Sequence, residues 1–172
     1  MLYEMNVRQL TAEGTFNAAI ERLPFLRSIG VDAIWLMPIY PIGEDGRKGS
    51  LGSYYSIKDY TAVNPEFGTA DDFRAFVSAA HAMGIRVLLD WVANHTGCDH
   101  VWIEQHPNWF EYEDGKFVSP WDWTDTYSLD YTNNEMRAAM IDAMKYWVKE
   151  TDLDGFRCDV AALVPVDFWD EA

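Results

Sequence analysis

Cysteine and positive charge are what this 172-residue chain has least of. Its 2 cysteines, Cys98 and Cys158, are too few for a disulfide scaffold, and Cys158 lies in an apolar run where it reads as a small packed hydrophobe. Lys and Arg number 13 against 28 Asp and Glu, a formal net charge of -15. Such a chain repels phosphate backbones and anionic headgroups and offers no basic patch, which disfavours nucleic acid and membrane surfaces as partners. It also lacks any apolar run approaching the roughly 18 residues of a membrane span. Met1 is followed by the strand-like Leu2-Tyr3-Glu4-Met5 rather than by a basic and then apolar leader, so no signal is visible and the compartment stays open. No glycine-rich G-x-G-x-x-G turn follows any candidate strand, which lowers a dinucleotide-binding reading.

What is present is a hydrophobic share of 49% with 24% charged residues, enough to build one ordinary globular core. Phe16, Ile20, Leu23 and Leu26 recur at helical spacing and predict a helix from about Thr15 to Ile29, closed by Gly30. A buried strand over Val31–Met37 follows, stopped by Pro38. Thr69 and Asp72 form a carboxylate capping box ahead of a stripe of Phe73, Phe76, Val77 and Ala80. Gly84 ends that helix, and the next strand runs over Ile85–Asp90. A third helix, capped at Asn134, carries Met136, Met140, Met144, Trp147 and Val148 on one face and leads to a strand over Leu153–Asp159. With Leu2–Asn6 as an opening strand, four strands alternate with helices, and Pro165 starts a fourth helix. Strands joined this way run parallel, so their C-terminal ends share one edge. The fold class is α/β, and two architectures remain: half of an eight-fold barrel or an incomplete doubly wound sheet.

The connections over Pro38–Gly68 and Trp91–Asn133 are far longer than the ~2–6 residues usual in such units, which marks them as functional. They and the fourth strand bring Tyr54, Tyr55, Asp59, Asp90, Asn94, His95, Arg157 and Asp159 toward the strand-end edge. Residues two apart on a strand share a side, so Arg157 can hold Asp159 ionised, as a covalent glycosyl step requires. The same pair also suits a purely structural ion pair at a strand end. The aromatics from Trp102 to Tyr131 fit sugar faces or, for most of the rings, a satellite core that folds a long loop. His100 and His106 show no metal-ligand spacing and read as surface residues.

Asp90-Trp91-Val92-Ala93-Asn94-His95 resembles the D-x-x-x-N-H block of the alpha-amylase family, glycoside hydrolase family 13, and Gly155-Phe156-Arg157-Cys158-Asp159 resembles its G-F-R-x-D block. Tyr55, ahead of Asp59 and Asn64, is similar to the tyrosine platform of the second-strand loop, and Tyr3–Gln9 to the first strand. The resemblance implies a partial (β/α)8 barrel, its first four βα units, with a small subdomain inserted after the third strand. On that pattern residues 1–95 hold three strands and two helices, 96–133 the insertion, and 134–172 the third helix, fourth strand and start of the fourth helix.

By the same resemblance Asp159 is the nucleophile, Arg157 orients it, and Tyr55, Asp90 and His95 hold the glucosyl ring of an α-glucan. Asn94 often binds calcium in the family. Here Ser128 stands where a ligating aspartate is expected, and Ala161-Ala162-Leu163 replaces a Lys-His pair, so no typical calcium site is expected. The family's acid/base Glu belongs to the fifth strand, so residues 1–172 read as the front half of a longer α-1,4-glucan hydrolase or transglycosylase, inactive alone. As an isolated half barrel with open strand edges it is expected to self-associate. Two other classes compete: a non-catalytic carbohydrate-binding member of the fold, disfavoured by the intact Asp159, and an unrelated metal enzyme using Asp90 and Asp159, which lacks a third ligand.

Overall fold

The computed structural model describes residues 1–172. Along the chain the elements are β1 (Leu2–Met5), α1 (Val7–Leu10), α2 (Phe16–Ile20), α3 (Leu23–Ser28), β2 (Ala33–Leu36), α4 (Ala70–Ala82), β3 (Arg86–Trp91), β4 (His95–Gly97), α5 (Val101–Gln105), β5 (Tyr112–Glu113), β6 (Lys116–Phe117), β7 (Thr126–Ser128), α6 (Asn134–Thr151), β8 (Gly155–Cys158) and α7 (Val166–Glu171). They form two compact units that interleave in sequence: Met1–Ile39, Thr61–Trp91 and Lys145–Arg157 make the first, and Tyr40–Tyr60, Val92–Met144 and Cys158–Ala172 the second. No helix is long and apolar enough to cross a membrane.

The first unit is built on a four-stranded sheet in the order β1-β2-β3-β8. β1 pairs with β2 and β2 with β3 in parallel, with Leu2 opposite Ala33 and Ala33 opposite Arg86. Ile34, Leu36, Val87 and Leu89 are fully buried. Phe16 packs 5.2 Å from Phe73 and 6.1 Å from both Phe67 and Phe76, while Trp147 meets Phe73 edge-on at 5.5 Å. The capping box ahead of α4 forms as its residues predict: the Thr69 hydroxyl accepts from the Asp72 N–H, and the Asp72 carboxylate accepts from the Thr69 N–H at 2.8 Å.

Two expectations for these elements need correction. The helix predicted from Thr15 to Ile29 is two short helices, α2 and α3, that part at Glu21 and Arg22. Pro24 is the cause, because it has no N–H for the carbonyl four residues back and its ring clashes there, so the chain restarts with proline in a first turn. Val148 is 46% exposed rather than on the buried face, since it lies about 100° around the helix from the buried Trp147.

The second unit carries short antiparallel pairs. β4 pairs with β7 in the register His95–Ser128, Thr96–Tyr127 and Gly97–Thr126. β5 and β6 form a hairpin whose two-residue loop, Asp114-Gly115, has both φ positive, the turn that matches strand twist. Most of the aromatic stretch forms small cores: Phe117 touches Phe110, Tyr112 and Tyr127, and Trp102 packs on Tyr60 and Trp109.

His100, expected at the surface, is 2% exposed within that cluster. Its ring lies 5.0 Å from Tyr60 and 4.8 Å from Trp102, and its Nδ1 accepts from the Trp102 N–H to cap α5. Burial drops its pKa to about 3, so it sits in the core as a neutral cap. The first turn of α6 is capped by Asn133 rather than Asn134: the Asn133 side-chain Oδ1 accepts from the N–H groups of Glu135 and Met136.

Candidate active site

In the first unit the chemistry gathers near the end of β3. Asp90 is 0% exposed, and a carboxylate taken so far from water must be matched by donors. Arg157, on β8, supplies them: its Nη1 lies 3.0 and 3.1 Å from the two Asp90 oxygens. The indole N–H of Trp35, on β2, donates to Asp90 Oδ2 at 3.0 Å, and the Arg157 guanidinium lies 4.5 Å from the Trp35 ring centroid. Three neighbouring strands thus contribute a carboxylate, a cation and an aromatic face, each made rigid by the other two. Arg157 stays partly solvent-accessible while its partner is sealed.

In the second unit a cavity of about 460 Å³ is lined by Tyr55, His95, Trp123, Asp125 and Asp159, with Lys48 and Val160 also on its wall. Three of the expected residues, Tyr55, His95 and Asp159, therefore share one cavity, and its size lies within the range of small-ligand pockets. Its walls are pinned by close backbone approach. Gly97 donates to Ile57 O and Gly43 to Ser56 O, both at 2.7 Å, and a Cβ on Gly43 would meet Ser56 Oγ at 2.7 Å. Ser56 Oγ in turn donates to Asp125 O at 2.8 Å. The buried Tyr60 hydroxyl donates to Val92 O at 2.6 Å with His95 O at 3.0 Å, which anchors the turn that carries the imidazole.

Burial lowers the pKa of His95 to about 4, against the opposing pull of the Asp159 and Asp125 carboxylates, so the ring is neutral near pH 7. The Asn94 amide nitrogen, which can only donate, lies 3.2 Å from His95 Nδ1. A hydrogen bond with the Tyr55 backbone also favours the charged ring without overcoming its burial. A neutral, oriented donor beside a carboxylate suits a neutral polar ligand such as a sugar hydroxyl. Trp123, 5.2 Å from the His95 ring, adds an apolar face.

The backbone immediately after Asp159 is unusual. Val160 has φ 41°, a left-handed conformation that a β-branched residue adopts only when its surroundings impose it. Both residues line the cavity, so the strained turn sits beside the carboxylate it follows.

Around Asn94, the amide nitrogen faces His95, Asp130 accepts from the N–H and hydroxyl of Thr132, and no group of three or more His, Cys, Asp or Glu side chains gathers. Lys48, Asp125 and Val160 were not legible as site residues. Lys48 reaches the cavity only because the loop folds back, placing its Nζ 3.3 Å from Asp125, and no spacing in the chain announces that.

Comparison with known proteins bears on what these arrangements serve. The model of the alpha amylase catalytic domain matches residues 5–128 and 107–171. This chain belongs to the alpha-amylase family. Alpha-1,4-glucan:maltose-1-phosphate maltosyltransferase of Rhodospirillum rubrum is 38% identical to it over 194 residues, which take in 98% of this chain and 28% of that protein. The crystal structure of an alpha-amylase from Lactobacillus plantarum matches with a TM-score of 0.96 and 46% identity, over 99% of this chain and 40% of that one. The noncanonic maltogenic alpha-amylase AmyB from Thermotoga neapolitana matches at 0.93 and 43%, over 99% and 41%. The four-stranded parallel sheet is accordingly part of the alpha-amylase (β/α)8 barrel, as the resemblance implied. The chain spans well under half the length of these relatives. The relatives it matches are glycoside-acting enzymes of that family.

Proposed function

We propose that the protein carrying this chain is a retaining glycosidase that cleaves α-1,4-glucosidic bonds in starch or maltodextrins, with Asp159 as its nucleophile. The observation that carries this reading is the placement of Asp159 in one aromatic-lined cavity with a neutral His95 and Tyr55. A carboxylate oxygen of Asp159 bonds to C1 of the glucosyl unit as the bond from C1 to the leaving oxygen breaks, and an acid protonates that oxygen. Water then attacks C1 and loses a proton, Asp159 departs as carboxylate, and two inversions give net retention. Tyr55 and His95 hold the glucosyl ring, while Asp90, expected among its contacts, is 0% exposed and paired with Arg157, the positioning cation of the strand.

The family pattern assigns the acid to a glutamate on a fifth strand, so residues 1–172 alone are expected to turn over substrate orders of magnitude more slowly than the intact enzyme. They are also expected to associate through the edge strands β1 and β8, which light scattering on the isolated segment checks: a monodisperse monomer argues against it.

Asp159→Asn in the intact enzyme tests the assignment. Turnover of maltodextrins should fall by roughly a thousandfold or more while oligosaccharide binding persists. Early products of the wild type should have the α-anomeric configuration by NMR, and turnover that survives the substitution would move the nucleophile elsewhere. Transglycosylation through the same intermediate is the second reading, favoured by the identity with the maltosyltransferase. Product analysis at high sugar concentration separates the two.

A further inference from the structure

Between β3 and β4 the chain turns through Val92, Ala93 and Asn94 before His95 reaches the cavity wall. Such a turn lies outside the strand ladder of the sheet, so its carbonyls need donors from elsewhere, and a buried carbonyl left without one costs stability. Each finds a donor here. Val92 O accepts from the Tyr60 hydroxyl at 2.6 Å, with His95 O at 3.0 Å from the same phenol oxygen. Ala93 O accepts from the Tyr131 hydroxyl at 2.7 Å, and Asn94 O from the Leu129 N–H at 3.3 Å. Val92 and Ala93 are 0% exposed, so the two phenols stand where solvent cannot serve.

Both phenols are fixed from behind. Tyr60 is wedged among Tyr40 at 6.2 Å, His100 at 5.0 Å and Trp102 at 5.2 Å, and Tyr131 meets Phe168 edge-on at 4.9 Å. Burial pushes both hydroxyls well above the ordinary phenol pKa, so they stay protonated donors. Phenylalanine would fill the same space if packing were the sole demand, without taking a hydroxyl out of water. What the hydroxyls add is a fixed backbone under Asn94 and His95, and the imidazole points where that backbone directs it. Neither tyrosine lines the cavity.

We infer that Tyr60 and Tyr131 are positioning residues for the reaction: acting through the Val92–His95 turn, their hydroxyls hold the His95 imidazole in the orientation that grips the sugar. The inference rests on the glycosidase reading above and adds to it two residues that touch no substrate.

The test is kinetics with maltodextrins on the intact enzyme carrying Tyr60→Phe or Tyr131→Phe, at a temperature where circular dichroism shows full folding. Each change removes one oxygen and keeps the ring. Turnover should fall about tenfold in Tyr60→Phe, which releases two carbonyls, and about threefold or more in Tyr131→Phe, with KM moving less than kcat in both. A merely structural role would lower the urea midpoint and leave the kcat of the folded enzyme unchanged. In a His95→Ala background either substitution should change kcat by less than about twofold, because the orientation it supports is gone. Tyr131, less deeply buried than Tyr60, carries the test if Tyr60→Phe does not fold.

A kcat within about twofold of the wild type in either folded variant overturns the inference. So does an equal loss with and without the His95 imidazole, which would route the effect through another group. Both results leave the cleavage reading standing; that reading fails separately, if Asp159→Asn retains turnover or the wild type cleaves no α-glucan.

Discussion

The two units hold their strand-end carboxylates in opposite ways. In the sheet unit Asp90 is sealed, bound by Arg157 and Trp35, and carried by regular strands. In the loop unit Asp159 lines an open cavity and is followed by a valine in a left-handed turn. Of the four non-glycine residues with positive φ, three, Asp114, Trp121 and Val160, belong to the loop unit, and Val160 lines the cavity. The contrast separates jobs. Buried charge matched by donors makes a rigid reference, while strain and exposure collect where a ligand must be met.

The largest expected effect that would break this contrast is loss of the sealed pair. Arg157→Met leaves Asp90 buried without its cation and should destabilise the fold by about 3–5 kcal/mol, read as a lower urea midpoint with unchanged slope. A change below about 1 kcal/mol would show that the pair is not the anchor of its unit.

Next comes pH, which probes the loop unit. His95 and His100 have folded pKa values lowered to about 4 and about 3 by burial, so their contribution is complete above the unfolded value near 6.5. It is lost as pH falls from there toward 4 and then 3, on the order of a few kcal/mol in total. Urea midpoints between pH 7 and 4 check this. His100→Asn, which keeps an acceptor for the Trp102 N–H, should flatten the dependence, and an unaltered slope would count against His100.

A smaller effect sharpens the idea that strain serves the site. Val160→Gly should stabilise the fold by about 1 kcal/mol, because glycine meets φ 41° without penalty. It should also lower turnover about tenfold as the turn after Asp159 loosens. Gained stability with unchanged turnover would make the strain incidental. The smallest effect belongs to the exposed Arg27–Asp32 pair at 2.8 Å, where Arg27→Ala should leave the melting temperature unmoved within error.

Local signals predicted the regular parts well. The Thr69 and Asp72 capping box, the Phe73 to Ala80 stripe and the parallel order of strands all follow from periodicity and short-range hydrogen bonding. Misreadings occurred where one residue overrode a pattern, as Pro24 does to the first helix, or where burial depended on distant partners, as for His100 beneath Tyr60 and Trp102.

By itself the order of residues determined the alternating elements, the family blocks around Asp90 and Asp159, and the acidic, cysteine-poor character of the chain, because each depends on neighbours within a few positions. Tertiary structure alone decided that Arg157 grips Asp90 and that Lys48 and Asp125 join the cavity of Asp159. Those facts depend on how long loops fold back, and no local spacing encodes the distance between residues that only packing brings together.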